Sequence, residues 1–249
     1  MKSWPYPRLI AHRAGGTLAP ENTLAAIRFG KSLGYRAVEI DVRFSRDGIA
    51  VLQHDAVIDR NTNGTGAIAD QVWSELALLD AGSWRGEAFR GEPLTRLSDA
   101  ASLLRSFRMF AHVEIKRIPG RHRECGERVA RAAASCWEGS SEEPLLISFS
   151  ADALEAALAA EPSLARGWIV EEPWDGDLAP LERLDAVSLH LEHVLITPRR
   201  VEEVHAQGRR ILAWTVNDPK RAEDLLAMGV DGIVTDNIRE FAVRFPALL

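Results

Sequence analysis

Glu39 and Asp41 are separated by one residue within Ala37–Val42, a run that reads as a β-strand. Alternation along a strand turns both carboxylates to the same face. The rest of the run is mostly apolar, so that face points inward, and burying two uncompensated carboxylates costs several kcal/mol. A salt bridge would account for Glu39 alone; a divalent ion would compensate the pair. Downstream, Ser45-Arg46-Asp47-Gly48-Ile49 reads as a tight hairpin with Ile49–Gln53 as its return strand, because Asp-Gly adopts the positive φ angles of a type I′ turn. A loop of Asp47 and Gly48 pairs Arg46 with Ile49 and, further back, sets Asp41 opposite His54. A bulge or a longer loop would shift that pairing by one residue.

The run Met109–Lys116 repeats the pattern, with His112, Glu114 and Lys116 on one face. Glu114 offers a third carboxylate. Lys116, nearer the strand end, offers a cation that would reach a phosphate. The run Arg8–His12 ends in His12-Arg13 and leads into Ala14-Gly15-Gly16. Oxygen ligands select a hard ion such as Mg²⁺ or Ca²⁺. With Arg13 and Lys116, that ion would stabilise charge developing on a phosphoryl group. Two imidazoles, His12 and His54, would serve as base and acid. The chemistry that needs this set is phosphoester cleavage.

Convergence of these groups requires strand ends that meet. Further strand-like runs are Leu145–Phe149, Ala165–Val170, Ala186–His190, Arg210–Val216 and Gly232–Thr235. Helical stretches lie between them, at Asn22–Leu33, Ser98–Phe107, Arg121–Trp137, Ala151–Ala160, Pro198–Gln207 and Pro219–Met228. Strand alternating with helix implies a parallel sheet with right-handed crossovers. Eight such strands predict an α/β fold closed into a (β/α)8 TIM barrel, whose active site lies at the C-terminal strand ends. Residues 56–97 are long for a βα connection and dense in turn residues. They are expected to form a small insertion after the second strand, packed at the barrel mouth, within one domain spanning residues 1–249.

Composition sets the outer bounds. The chain has 249 residues, 46% hydrophobic and 27% charged, with net charge −6. That is the balance of a soluble enzyme, with no generic attraction to nucleic acid or to anionic membrane. Cys125 and Cys136, about 16 Å apart along one helix, are too distant for a disulfide. The N-terminus carries no apolar signal core, so a cytoplasmic location without stable membrane association is expected.

Several stretches together resemble the glycerophosphodiester phosphodiesterases, specifically the cytoplasmic bacterial type. They are Ala11-His-Arg-Ala-Gly-Gly16, Ala19-Pro-Glu-Asn-Thr23, Glu39-Ile-Asp41, Asp47-Gly48, His54-Asp55, Glu114-Ile-Lys116, Trp214-Thr-Val-Asn217 and Gly229–Asp236. They occur in family order along almost the whole chain. The resemblance implies Glu39, Asp41 and Glu114 as metal ligands and His12 and His54 as the acid–base pair. It implies Arg13 and Lys116 on the phosphate, Trp214 as an apolar wall against glycerol, and Asn22 close to the site. The implied reaction is hydrolysis of a small-molecule glycerophosphodiester to sn-glycerol 3-phosphate and an alcohol, by direct attack of water or through a cyclic phosphate. One divalent cation is implied, Mg²⁺ favoured over Ca²⁺ because free Ca²⁺ is scarce in the cytoplasm. The family usually reads His-Arg-Gly where this chain has Ala14. Alanine lacks glycine's freedom at positive φ, so the turn is expected to have ordinary geometry or to shift to Gly15.

The other features have plainer readings. His112, lower in the barrel, reads as a packed, hydrogen-bonded core histidine. Of His190 and His193, His190 is the better candidate to line the pocket, and His122 and His205 read as solvated helix residues. Asn22 and Thr23 could simply cap the first helix. Two rival functions are a related barrel phosphodiesterase that releases a cyclic phosphate and a glycerophosphodiester-binding protein without turnover.

Overall fold

The computed structural model describes residues 4–249; Met1–Ser3, part of the stretch read as lacking a signal core, lie outside the described residues. Strand β1 (Leu9–Ala11) leads through helix α1 (Leu24–Ser32) to β2 (Ala37–Phe44) and its hairpin partner β3 (Ala50–Leu52). Helices α2 (Trp73–Leu76) and α3 (Leu97–Ser106) precede β4 (Phe110–Ile115) and α4 (His122–Cys136). Then come β5 (Leu145–Ser148), α5 (Ala151–Ala160), β6 (Ala165–Val170), α6 (Ala179–Arg183) and β7 (Ser188–Glu192). The chain ends with α7 (Pro198–Ala206), β8 (Arg210–Trp214), α8 (Pro219–Ala227), β9 (Gly232–Thr235) and α9 (Ile238–Arg244). Every strand but β3 pairs in parallel, and β1 pairs with both β9 and β2. The eight parallel strands therefore close into the predicted TIM barrel.

Strand alternation sorts the core. On β2, Val38, Ile40 and Val42 face the helices, packing in one cluster with Ala26 and Ile27 of α1 and Leu104 of α3. Ala37, on the opposite face, joins Ile10, Phe110, Leu145 and Leu212 inside the barrel. Each of these large aliphatic side chains contributes roughly 1.5–3 kcal/mol on burial. Glu39 and Asp41 share the face of Ala37, so the layers above this plug are polar.

The hairpin register differs from the one expected. Val42 pairs with Leu52 and Phe44 with Ala50, so Asp41 lies opposite Gln53, whose amide donates to the Asp41 carbonyl at 3.1 Å. The loop has three residues rather than two. The Ser45 amide donates to the Ile49 carbonyl at 3.0 Å, and Gly48 alone takes a positive φ, 87°, as in a turn closed by a G1 bulge. His54 thus lies one step beyond the paired ladder. Arg43 holds it there, donating from Nε and Nη2 to the His54 carbonyl at 3.0 and 2.8 Å.

The turn after β1 also departs from expectation. Arg13 and Ala14 both adopt left-handed backbone, φ 48° and 66°, and the strain is not moved to Gly15. Such geometry costs about 1–2 kcal/mol per non-glycine residue, and surrounding bonds over-determine it. The Ala14 amide donates to the Glu39 carbonyl at 3.0 Å, and the Asn22 amide to the Arg13 carbonyl at 3.0 Å. Gly16 completes the turn at φ 52°, where a Cβ would fall 2.1 Å from the Asp236 carbonyl oxygen.

Candidate active site

Glu39 and Asp41 on β2 and Glu114 on β4 are 4%, 1% and 8% exposed, and Asp41 pairs with Glu114 across the parallel ladder. One ligand oxygen from each lies within 4.8 Å of the others. Lys116 Nζ sits 3.1 Å from Asp41 Oδ1 and 2.8 Å from Glu114 Oε1. Glu39 has no comparable partner. Its Oε2 accepts the Arg13 backbone amide at 3.0 Å, while its buried Oε1 has no hydrogen bond among the described residues. Burial, reinforced by the charge of Asp41, pushes the Glu39 carboxyl up to about 8. Burial acts on Asp41 in the same sense, but Lys116, His54 and Arg13 outweigh it and hold this carboxyl below its ordinary range. A hard divalent cation fits such an all-oxygen donor set and would satisfy the orphaned Glu39 oxygen.

Asn22 serves this cluster. It is 2% exposed and lies outside α1, whose N-cap is Thr23. Its Nδ2 donates to Asp41 Oδ2 at 2.7 Å, and its Oδ1 accepts the Asp41 amide at 3.1 Å. The side chain expected near the substrate is thus engaged on a carboxylate.

The two histidines are oriented by separate acids. His12 Nδ1 lies 2.6 Å from Asp236 Oδ1, and Asn217 Nδ2 donates to the other Asp236 oxygen at 3.0 Å. His12 Nε2 is 3.8 Å from Glu39 Oε2. Burial lowers the His12 pKa, yet the Asp236 hydrogen bond and the charges of Glu39 and Asp236 raise it on balance. His54 Nδ1 lies 2.7 Å from Asp55 Oδ1. Burial is the largest influence on His54 and lowers it; Asp41 opposes this, whereas Lys116 and Arg13 add to it.

A cavity of about 170 Å³ connects these groups. His12, Arg13, Glu39, His54, Glu114 and Lys116 reach it from β1–β4 and the turns after them; Ile147, Phe149, Ile169, His190, Trp214, Thr215 and Val234 reach it from β5–β9 and the turns after them. Trp214 meets Phe149 edge-on at 5.3 Å. A wider cleft of about 470 Å³ adjoins it, sharing His54, Lys116, Phe149 and Trp214 and opening past Asp55, Arg117 and Glu171. The larger cleft under the β6–α6 loop, about 930 Å³, holds none of the chemistry-bearing residues. His193 lines neither small cavity. His205 is exposed, 2.8 Å from Asp231, and His122 lies 3.1 Å from the Ser150 hydroxyl. His112 is buried as expected but is not hydrogen-bonded: neither ring nitrogen has a partner among the described residues.

The family model of the glycerophosphoryl diester phosphodiesterase family matches residues 12–240. The chain belongs to that family. It is 34% identical over 234 residues to the glycerophosphodiester phosphodiesterase of Caldanaerobacter subterraneus subsp. tengcongensis, covering 92% of this chain and 93% of that one. A solved phosphodiesterase of Oleispira antarctica, in complex with the product sn-glycerol-3-phosphate, superposes with a TM-score of 0.87 at 33% identity, covering 96% and 97%. The glycerophosphodiester phosphodiesterase of Agrobacterium tumefaciens strain C58 gives 0.81 at 26% identity, covering 95% and 99%.

Within this family member, four residues join the site that sequence reasoning did not single out: Glu21, Asp55, Arg60 and Asp236. Arg60, from the 56–97 segment, donates from Nε to Asp55 Oδ2 at 2.6 Å. It also clasps Glu21 at 2.9 and 2.7 Å, and Glu21 accepts from Arg13 Nη1 at 3.1 Å. One guanidinium therefore links the acid behind His54 to the acid behind Arg13. Arg60→Met is expected to lower kcat about tenfold through misplacement of both groups. Because the arginine side chain is 43% exposed, stability should fall by less than about 1 kcal/mol. Steady-state kinetics beside a melting curve would show the split.

Proposed function

We propose that this chain hydrolyses glycerophosphodiesters to sn-glycerol 3-phosphate and an alcohol, using one divalent cation, Mg²⁺ in preference to Ca²⁺, held by Glu39, Asp41 and Glu114. The observation that carries the reading is the buried, unpartnered Glu39 oxygen in an acidic cluster flanked by two histidines tuned in opposite directions. When bound, the cation would neutralise charge on the phosphoryl oxygens as a Lewis acid. Arg13 and Lys116 would bind the same phosphate, Lys116 turning from its carboxylates toward the anion. Trp214 and its apolar neighbours would pack the glycerol half.

His54, depressed and therefore neutral near pH 7, would accept a proton through Nε2, since Nδ1 is directed at Asp55. His12, raised by Asp236 and Glu39, would carry a proton on Nε2 and give it to the leaving oxygen. Asn22 would keep Asp41 from turning away. The departing alcohol would lie in the wider cleft, whose openness to Asp55, Arg117 and Glu171 favours breadth toward that half. Such breadth suits recycling of deacylated phospholipid head groups in the cytoplasm. No helix among the described residues is long and apolar enough to cross a membrane.

The test is a panel of glycerophosphodiesters bearing choline, ethanolamine, glycerol and inositol, read by release of glycerol 3-phosphate with Mg²⁺ present. Release from several members is the expected result. Folded, Mg²⁺-loaded protein that binds the diesters without releasing product would instead be a binding protein.

A further inference from the structure

The apolar side of the catalytic cavity contains a histidine with a seat built around it. Strand alternation turns Ser188 and His190 of β7 to the barrel interior together, and His190 lines the cavity while only 1% exposed. Its Nε2 lies 3.0 Å from the buried Ser188 hydroxyl. On the neighbouring strand, Gly167 pairs with Ser188. A Cβ there would fall 2.6 Å from Ser188 Oγ and 2.8 Å from His190 Nε2, so the missing side chain is what leaves room for the imidazole. Trp214 Nε1, from the strand on the other side, donates to the His190 carbonyl at 3.2 Å. Below lies His112, ring centroid 5.6 Å away.

Ser188 occupies Nε2, and no described residue hydrogen-bonds Nδ1. Unlike the two enclosed nitrogens of His112, this atom reaches the cavity, so it takes its partner from whatever fills that space, water or a ligand. Burial and the neighbouring His112 push the His190 pKa well down, so the ring is uncharged. A neutral imidazole offers either a donor or an acceptor at Nδ1, set by its tautomer, and a hydroxyl can answer both. It is a poor partner for a phosphate, for which the cations of the same cavity, Arg13 and Lys116, are the better match.

We propose that His190, seated by Ser188 and Gly167, reads a hydroxyl of the glycerol half of the diester and so selects glycerol phosphates over phosphates of hydroxyl-free alcohols. This rests on the diesterase reading above, and its test separates the two. Glycerol 3-phosphate and propyl phosphate are titrated calorimetrically into Mg²⁺-loaded wild-type protein and into His190→Leu, His190→Gln and Gly167→Ala. Wild type is expected to prefer glycerol 3-phosphate about tenfold or more, the scale of one directed hydroxyl contact. His190→Leu should erase that preference by weakening glycerol 3-phosphate alone. His190→Gln, which keeps a donor and an acceptor, should retain part of it, and Gly167→Ala should reduce it by displacing the ring. Equal weakening of both ligands, or an unchanged ratio in His190→Leu and Gly167→Ala, would overturn the role of His190 and leave the diesterase reading standing. Wild-type protein that binds neither phosphate would overturn both.

Discussion

His54→Ala is expected to lower kcat by about 10²–10⁴-fold, the range for loss of a positioned general base, while binding of Mg²⁺ and of glycerol 3-phosphate stays within a few-fold of wild type. The side chain sits at the edge of the acidic cluster. Its Nδ1 is directed at Asp55, and no described protein group hydrogen-bonds its Nε2. Truncation would therefore remove the proposed proton acceptor and leave the three carboxylates of the cluster in place. His12→Ala should cost a similar factor through the acid step. Because His54 is lowered and His12 raised, the rate should rise as His54 loses its proton and fall as His12 loses its own. That gives a bell-shaped profile whose limbs belong to different residues. Asp236→Asn removes the charge that helps raise His12 and leaves a weaker, neutral acceptor at Nδ1, so it should move the alkaline limb to lower pH and leave the acid limb in place. A pH–rate series on wild type and Asp236→Asn is the check; movement of the acid limb instead would reverse the assignment.

Chelation is the second large effect. Removing the cation should abolish turnover, by about 10³-fold or more, since the phosphoryl charge would then face three carboxylates. The same removal has a signature in protons. Glu39 in the cation-free protein is pushed up to about 8, first by burial and then by Asp41. It must ionise to hold a cation, so Mg²⁺ uptake near pH 6.5 should release close to one proton, and affinity should rise with pH until about 8. Stability follows the same linkage with opposite sign. Between the unfolded carboxylate value of about 4.3 and the folded value, the native state keeps a proton that the unfolded state has lost, so metal-free stability falls as pH rises. Mg²⁺ should therefore raise the melting temperature more at pH 8 than at pH 5.5. Glu39→Gln should lose that pH slope, melt higher than metal-free wild type at pH 8, and fail to turn over. Calorimetry in two buffers of different ionisation enthalpy, beside melting curves with and without chelator, measures both halves.

What could be read in the sequence follows from the period of the backbone. Glu39 with Asp41, and Glu114 with Lys116, lie two apart on strands, and a period of two is enough to put each pair on one face. The barrel was legible for a similar reason, since strand and helix patterns alternate along the chain. The hairpin register was not, because Asp47-Gly48 suits both a two-residue I′ loop and a three-residue loop closed by a bulge; the Ser45 hydroxyl, bonded to Asp47 and Ile49, and bonds from Arg46 to Gln71 and Trp73 to Asp47 hold the longer form. At the strained turn the local preference of Ala14 against positive φ yields to two bonds, from the Ala14 amide to the Glu39 carbonyl and from the Asn22 amide to the Arg13 carbonyl. Asn22 reads from sequence either as a cap or as a residue close to the site, because a cap and a carboxylate clamp require the same short amide. Asp55, Glu21 and Asp236 stand within motifs noted in the sequence, but nothing local shows which cation or imidazole each one faces. Arg60 had no signal at all, because its role arises only when the 56–97 segment folds back onto Glu21.

The most direct test of the whole account is ³¹P NMR of glycerophosphocholine incubated with the Mg²⁺-loaded protein and, in parallel, with the chelated protein. The predicted result is conversion of the diester resonance to that of sn-glycerol 3-phosphate in the first tube and none in the second. A persistent cyclic phosphate, phosphocholine as the phosphorylated product, or equal turnover in both tubes would contradict it.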